Sequence, residues 1–210
     1  MNLCKKSRFH SILCFPVFIS VFLISCQTAP PPALRPEPYP EVPKERVEVP
    51  SGIMGEGLMS EERLVSFFLE NNPQADSIKV RRIAGFYIVE SRAEGVNADV
   101  AFVQMCLETG FLRFGGLVTE NMNNFCGLGS IGPGQPGNSF PDEETGIRAH
   151  VQHLKAYGSA EPLKGVAVDP RYKYVNPKGK SPLIQGLAGT WASDPEYGTK
   201  LTGLLERLYS

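Results

Sequence analysis

Glu108 stands at the end of a helical pattern, and that placement gives its carboxyl unusual chemistry. Asn97 can cap the start, Asp99 falls in the first turn, and Val100, Val103 and Leu107 recur at helical spacing until Gly110 stops the run. A carboxyl in the last turn meets the partial negative end of the helix dipole and the apolar side chains of Leu107, Phe111 and Leu112. Both disfavour its charge. A carboxylic acid kept protonated near neutral pH is the general acid that breaking a glycosidic bond requires. The competing reading is a solvated helix end, which a lone Glu before a Gly often is.

Such chemistry asks for a partner. An inverting glycosidase sets a base about 6.5 to 9.5 Å from the acid, and a retaining one sets a nucleophile closer. Glu120, Asp142, Glu143 and Glu144 are the downstream candidates, although acids opening a helix serve equally to stabilise its N-terminus. Among them lie Asn123, Asn124 and Phe125. The amides can donate to and accept from sugar N-acetyl and hydroxyl groups, and the ring can pack on a sugar face. The same Asn pair also suits a loop held by Asx-type backbone hydrogen bonds. His150 and His153 share a helix face, but no third Asp, Cys or His partner is evident, so neither a metal nor a cofactor is expected. Trp191 reads as a core residue packed beneath a helix start, with a platform for a sugar ring as the alternative.

The elements that must position these groups are mostly helices. Ser60 with Glu61 and Glu62 opens one that carries Leu64, Phe67 and Phe68 and ends at Asn71-Asn72-Pro73. A second runs from about Ser77 to Ala93, with Val80, Ile83, Ala84 and Tyr87 on one face and Gly95 beyond its end. The Glu108 helix is third. Gly115 to Phe140, rich in Gly, Asn and Pro, is too irregular for a helix and too long for a turn, which marks it as a functional loop with room for a short hairpin. A fourth helix is expected from Glu143 to about Tyr157. Tyr172 and Tyr174 alternate as in a short strand. A last helix is expected with Ser193 or Asp194 as cap, Pro195 in its first turn, and Leu201, Leu204, Leu205 and Leu208 as its stripe.

Composition bounds the class. The 210 residues are 42% hydrophobic and 20% charged with a formal net charge of −1, which fits one globular domain with appendages and argues against nucleic acid as a partner. None of the five cysteines forms a C-x-x-C pair, which leaves a zinc or thioredoxin-like motif unsupported. Cys106 and Cys126 are read as buried thiols, with one disulfide as the alternative in an exported domain.

Residues 1–26 combine Lys5, Lys6 and Arg8 with an apolar run from Ile12 to Ile24, the layout of a secretory signal. The ending Leu23-Ile24-Ser25-Cys26 resembles a bacterial lipobox, in which Cys26 would carry the lipid; an uncleaved anchor or an ordinary cleavage site is the alternative. Residues 27–56 are proline-rich and read as an extended tether, leaving 57–210 as the domain.

Taken in order, A-F-V-Q-M-C-L-E-T-G, N-N-F-C-G-L-G, F-P-D-E-E-T-G-I-R-A-H and W-A-S-D-P-E-Y-G-T-K-L resemble the bacterial endo-β-N-acetylglucosaminidase family, glycoside hydrolase family 73. The likeness runs from about Ala84 to Leu208. It implies a lysozyme-like α+β fold, mainly helical, with a small irregular or hairpin lobe. It also implies peptidoglycan glycan strands as substrate and Glu108 as catalytic acid. Asp142 or Glu143 becomes the favoured second acid, Asn123, Asn124 and Phe125 match the family's turn, and Tyr197 matches a cleft-lining tyrosine, although its helical spacing to Leu201 and Leu204 also suits a core aromatic. The expectation is a lipid-anchored hydrolase of the bacterial cell envelope. A non-catalytic glycan-binding lipoprotein and a lytic transglycosylase on the same fold are the alternatives.

Overall fold

Helices α1 to α4 each start where the sequence supplies a capping side chain. The computed structural model describes residues 48–210, and Cys26 with the leader and most of the tether lies outside them. Helix α1 (Glu61–Asn71) is capped by Ser60, α2 (Ser77–Glu94) by Asp76, and α3 (Ala98–Thr109) by Asn97, whose side chain accepts from both Asp99 and Val100. Helix α4 (Glu143–Gly158) is capped by Asp142, and α5 (Tyr197–Tyr209) follows Glu196, which makes no side-chain cap. Gly95 and Gly110 take left-handed conformations at the ends of α2 and α3, where a side chain would be strained.

Helix α3 is central and buried on nearly every side. A helix apolar all round must be covered all round: α1, α2, α4 and α5 each pack against it. Phe67, Phe68, Tyr87, Phe102 and Met105 fill the space between them. Buried polar groups then act as clamps. Asp99 is fully buried and accepts from Leu58 N at 2.7 Å and from Tyr209 Oη at 2.6 Å, tying the chain's approach to α1 and the end of α5 to one carboxylate.

Among the described residues the only sheet-like pairings are isolated bridges, such as Gly132 with Gln135, to which the expected hairpin of the irregular lobe reduces. Three expectations of detail change. Tyr172–Tyr174 is a 3-10 turn rather than a strand, because Asp169 accepts from Arg171 N and Lys178 Nζ binds the carbonyls of Tyr172 and Val175. Helix α5 begins at Tyr197, since Asp194 accepts from Glu196 N and pairs with Lys200, forming a turn ahead of the helix. The fold also begins before residue 57: Ile53 is fully buried, its N–H donates to Pro182 O, and its carbonyl accepts from Asn97 N.

Cys106 and Cys126 are both free and buried. Burial pushes both thiols well above their ordinary pKa, so little reactive thiolate forms. Protein beginning at Gln27 is expected to show no fast-reacting thiol when native and two when denatured without reductant. A count near zero on denaturation would mean a disulfide.

Candidate active site

The last turn of α3 is shaped by strain. Gly110 is followed by Phe111 and Leu112, and then by Phe114, all at positive φ. Non-glycine residues in that region cost about 1 to 3 kcal/mol each and persist only where their surroundings hold them. Here they are held. Phe111 N donates to Cys106 O, Leu112 N to Thr109 Oγ1, and Phe114 N to Thr109 O. Phe111 also packs on Phe67 and Phe68. The tight reversal turns the chain back so that Phe114 to Val118 wall a cleft of roughly 340 Å³ beside Glu108, with Asn124, Cys126, Ser130 and Trp191 on its other sides.

Among the described residues Glu108 is the sole carboxylate lining this cleft. Its side chain keeps an exposed face there while dense protein surrounds the rest. Burial raises its pKa, and hydrogen bonds from Tyr197 and Trp191 pull in the opposite direction without cancelling the rise. Both donors meet the same atom: Trp191 Nε1 lies 2.9 Å from Oε1, and the Tyr197 hydroxyl donates to that oxygen as well. The tyrosine ring is 5% exposed, so Tyr197 belongs to the core with only its hydroxyl reaching the acid.

Trp191 packs against the core as expected but also lines the cleft; its own turn is held by Trp191 N donating to Leu187 O, and separately the loop after α4 is pinned by polar groups that α4 buries. Gln152 binds Val166 O, Val168 N and Asp169 N; His153 binds Asp169 Oδ2 at 2.8 Å. The indole then leans on His150, His153 and Tyr157 while its N–H faces Glu108.

The other expected site residues sit differently. Asp142 is the N-cap of α4 and accepts from Thr145 N at 2.7 Å. Glu143 is held by Arg82 at 2.6 Å and by Lys79 at 3.5 Å. Burial alone would raise its pKa, but these two cations hold it below the ordinary value. Glu120 pairs with Lys79, and Glu144 with Arg148. None of the four lines the cleft of Glu108, so the structure does not bring a second acid to it. Asn123 donates to Phe140 O, and Asn124, only 1% exposed, binds Leu128 O, Asn138 O and Leu128 N. Their amides are occupied in shaping the loop that forms one side of the cleft. Phe125 is buried in the core and offers no face to a sugar. Gln104, a site neighbour that no sequence motif marks, lies one turn before Glu108 on α3 and binds the Tyr197 hydroxyl at 3.0 Å. Its i, i+4 spacing from Glu108 was the available signal.

Comparison with known proteins adds a family. Residues 84–210 match the family model described as mannosyl-glycoprotein endo-beta-N-acetylglucosaminidase. An uncharacterized protein of Borreliella burgdorferi is 44% identical over 156 residues, covering 74% of this chain and 76% of its own length. Among solved structures, S. aureus Autolysin E in complex with the muropeptide NAM-L-ALA-D-iGLU aligns at 14% identity and a TM-score of 0.46, over 76% of this chain and 70% of that one.

Proposed function

We infer, from the premise that the chain belongs to the mannosyl-glycoprotein endo-beta-N-acetylglucosaminidase family, that it is a peptidoglycan hydrolase cleaving β-1,4 bonds of the glycan strand with Glu108 as general acid. One observation carries the residue assignment. Among the described residues Glu108 is the single carboxylate of the cleft, and burial biases it toward the protonated form. In that form it gives its proton to the glycosidic oxygen as the bond to the anomeric carbon breaks. Trp191 and Tyr197 grip one carboxyl oxygen and leave the other to face the substrate. Phe114, Leu117 and Val118 give the cleft an apolar wall beside the acid and leave space for a sugar, whose binding would displace water from the exposed face of Glu108.

That no second carboxylate among the described residues lines the cleft favours one alternative, a lytic transglycosylase, in which a single Glu acts and the strand ends as anhydro-muramyl. Mass spectrometry of digested sacculi separates the two. Reducing N-acetylglucosamine ends support the hydrolase, anhydro-muramyl ends support the transglycosylase, and no soluble product supports a glycan-binding role.

The leader supports a lipid-anchored envelope protein, since its basic start, apolar run and Leu23-Ile24-Ser25-Cys26 suit acylation at Cys26. Cys26→Ser is expected to move the protein from the membrane fraction to the soluble one. Retention on membranes after a salt wash would remove the anchor from the proposal.

A further inference from the structure

Glu108 is one end of a hydrogen-bonded chain that runs through α5, α3, α4 and α2, and each link fixes the next. An ionised carboxylate only accepts, so the Tyr197 hydroxyl must give its one proton to Glu108 Oε1. Only lone pairs then remain on that hydroxyl for Gln104, whose Nε2 donates from 3.0 Å. This sets the orientation of the amide. Gln104 Oε1 faces His150 Nε2 at 3.0 Å, so that nitrogen carries the imidazole proton. Nδ1 is thereby an acceptor, and the Tyr87 hydroxyl donates to it at 2.8 Å.

Every inner member is sealed from water, since Tyr87, Gln104 and His150 are all fully buried. Burial, with a smaller push from His153, lowers the pKa of His150 to about 3, so the imidazole stays neutral wherever the acid works. Other titratable groups facing the chain are Cys106 on α3, Cys126 on the cleft loop, and the His153 and Asp169 pair behind Trp191. None of them interrupts the links.

From Tyr87 outward, every donor points toward Glu108. Hydrogen bonds in series polarise one another, so a hydroxyl that accepts from an amide is a stronger donor in turn. Oε1 therefore receives Tyr197 and Trp191 together, while no group among the described residues donates to Oε2. A proton placed on Oε1 would meet two donor hydrogens; on Oε2 it meets none.

We propose that Gln104 and His150 are positioning residues for this acid: the one-way chain from Tyr87 locks the Tyr197 hydroxyl as a donor to Glu108 Oε1 and reserves Oε2 for the proton handed to the leaving group. In that transfer the O–H bond at Oε2 breaks, its proton joins the glycosidic oxygen, and the C–O electron pair leaves with that oxygen. The catalytic meaning rests on the acid role proposed for Glu108, whereas the coupling through the chain does not.

The test is a carboxyl-carbon NMR titration of Glu108, its resonance assigned by loss in Glu108→Gln. It is run on the wild type, Gln104→Met, Tyr197→Phe, the double variant and Tyr87→Phe. Removing a donor to the charged form moves the midpoint upward. The expected order is a large upward shift for Tyr197→Phe, a smaller one for Gln104→Met and the smallest for Tyr87→Phe, with the double variant titrating like Tyr197→Phe alone. Sacculus digestion by Gln104→Met is expected to fall by up to about 10²-fold, the scale of a misplaced catalytic group. An unshifted midpoint in folded Gln104→Met overturns the proposal, as does an equal shift in the Tyr197→Phe background. Should Gln104→Met not fold, Tyr87→Phe decides, since it removes only one hydroxyl; an unshifted midpoint there overturns the proposal too. If Glu108→Gln still digests sacculi, the acid role falls, and the titration still decides the coupling.

Discussion

Glu108→Gln is expected to lower sacculus digestion by about 10² to 10⁴-fold, the usual contribution of general acid catalysis, while the protein stays folded and still binds glycan. Gln keeps an oxygen to accept from Trp191 Nε1 and the Tyr197 hydroxyl, so the local hydrogen bonds survive. What is lost is the transferable proton. The wild-type rate should decline as pH rises through the raised pKa of Glu108, because the acid works only when protonated. Stability moves the other way in the variant. A carboxyl whose folded pKa lies above its unfolded value favours the fold fully at pH below the unfolded value, about 4.3 for Glu, and that contribution is lost as pH rises through the folded pKa. Gln carries no such dependence. Glu108→Gln should therefore melt at or above the wild type at pH 7, with the advantage shrinking toward pH 4. A variant that digests sacculi within a few-fold of wild type would end the general-acid assignment, and one that melts lower at pH 7 than at pH 4, relative to wild type, would contradict the raised pKa.

Lys155→Met is expected to give the largest loss of stability, about 3 to 5 kcal/mol, the range for removing one partner of a buried ion pair. Lys155 Nζ lies 2.9 Å from Glu94 Oε2, with the two side chains 0% and 2% exposed. Glu94 also accepts from Lys164 N at 2.9 Å and Gly165 N at 3.0 Å, so this carboxylate joins α2, α4 and the loop after α4. Without the ammonium it remains charged and enclosed. For a domain of this size the loss corresponds to a fall in Tm on the order of 10 °C. Adding Glu94→Gln should restore part of it, because the amide still accepts from the loop but carries no charge. The penalty of Lys155→Met alone should shrink as pH falls and the orphaned carboxyl takes up a proton. Thermal melts of the single and double variants at pH 7 and pH 4.5 measure both effects. Equal melts for wild type and Lys155→Met at pH 7 would show that the pair contributes nothing.

Local chemistry was legible in the sequence because it acts over a few residues. Ser60 and Asn97 declare helix starts by side chains that reach amides two or three positions on, and Gly95 and Gly110 declare ends by a backbone angle that other residues resist. Together with the stripe of α5, these determined a mainly helical domain and put Glu108 in the last turn of its central helix. The expected direction of its pKa followed from the same position. What surrounds that carboxyl was decided by tertiary structure. Trp191 and Tyr197 reach Glu108 from 83 and 89 residues away, a distance over which no periodicity or cap carries information. Asp142 and Glu143 show the converse. Acids at a helix start suit capping, ion pairing and catalysis alike, and only the positions of Thr145, Arg82 and Lys79 assign them to the first two. Phe125 was ambiguous for a similar reason, since an aromatic between Asn and Cys can face a sugar or the core, and the packing of α3 against its neighbours turned it inward. The sequence alone determined which helix carries Glu108 and at which end. Its two donors, and the buried chain behind one of them, exist only because four helices and a pinned loop bring distant polar groups where each unpaired atom would be costly.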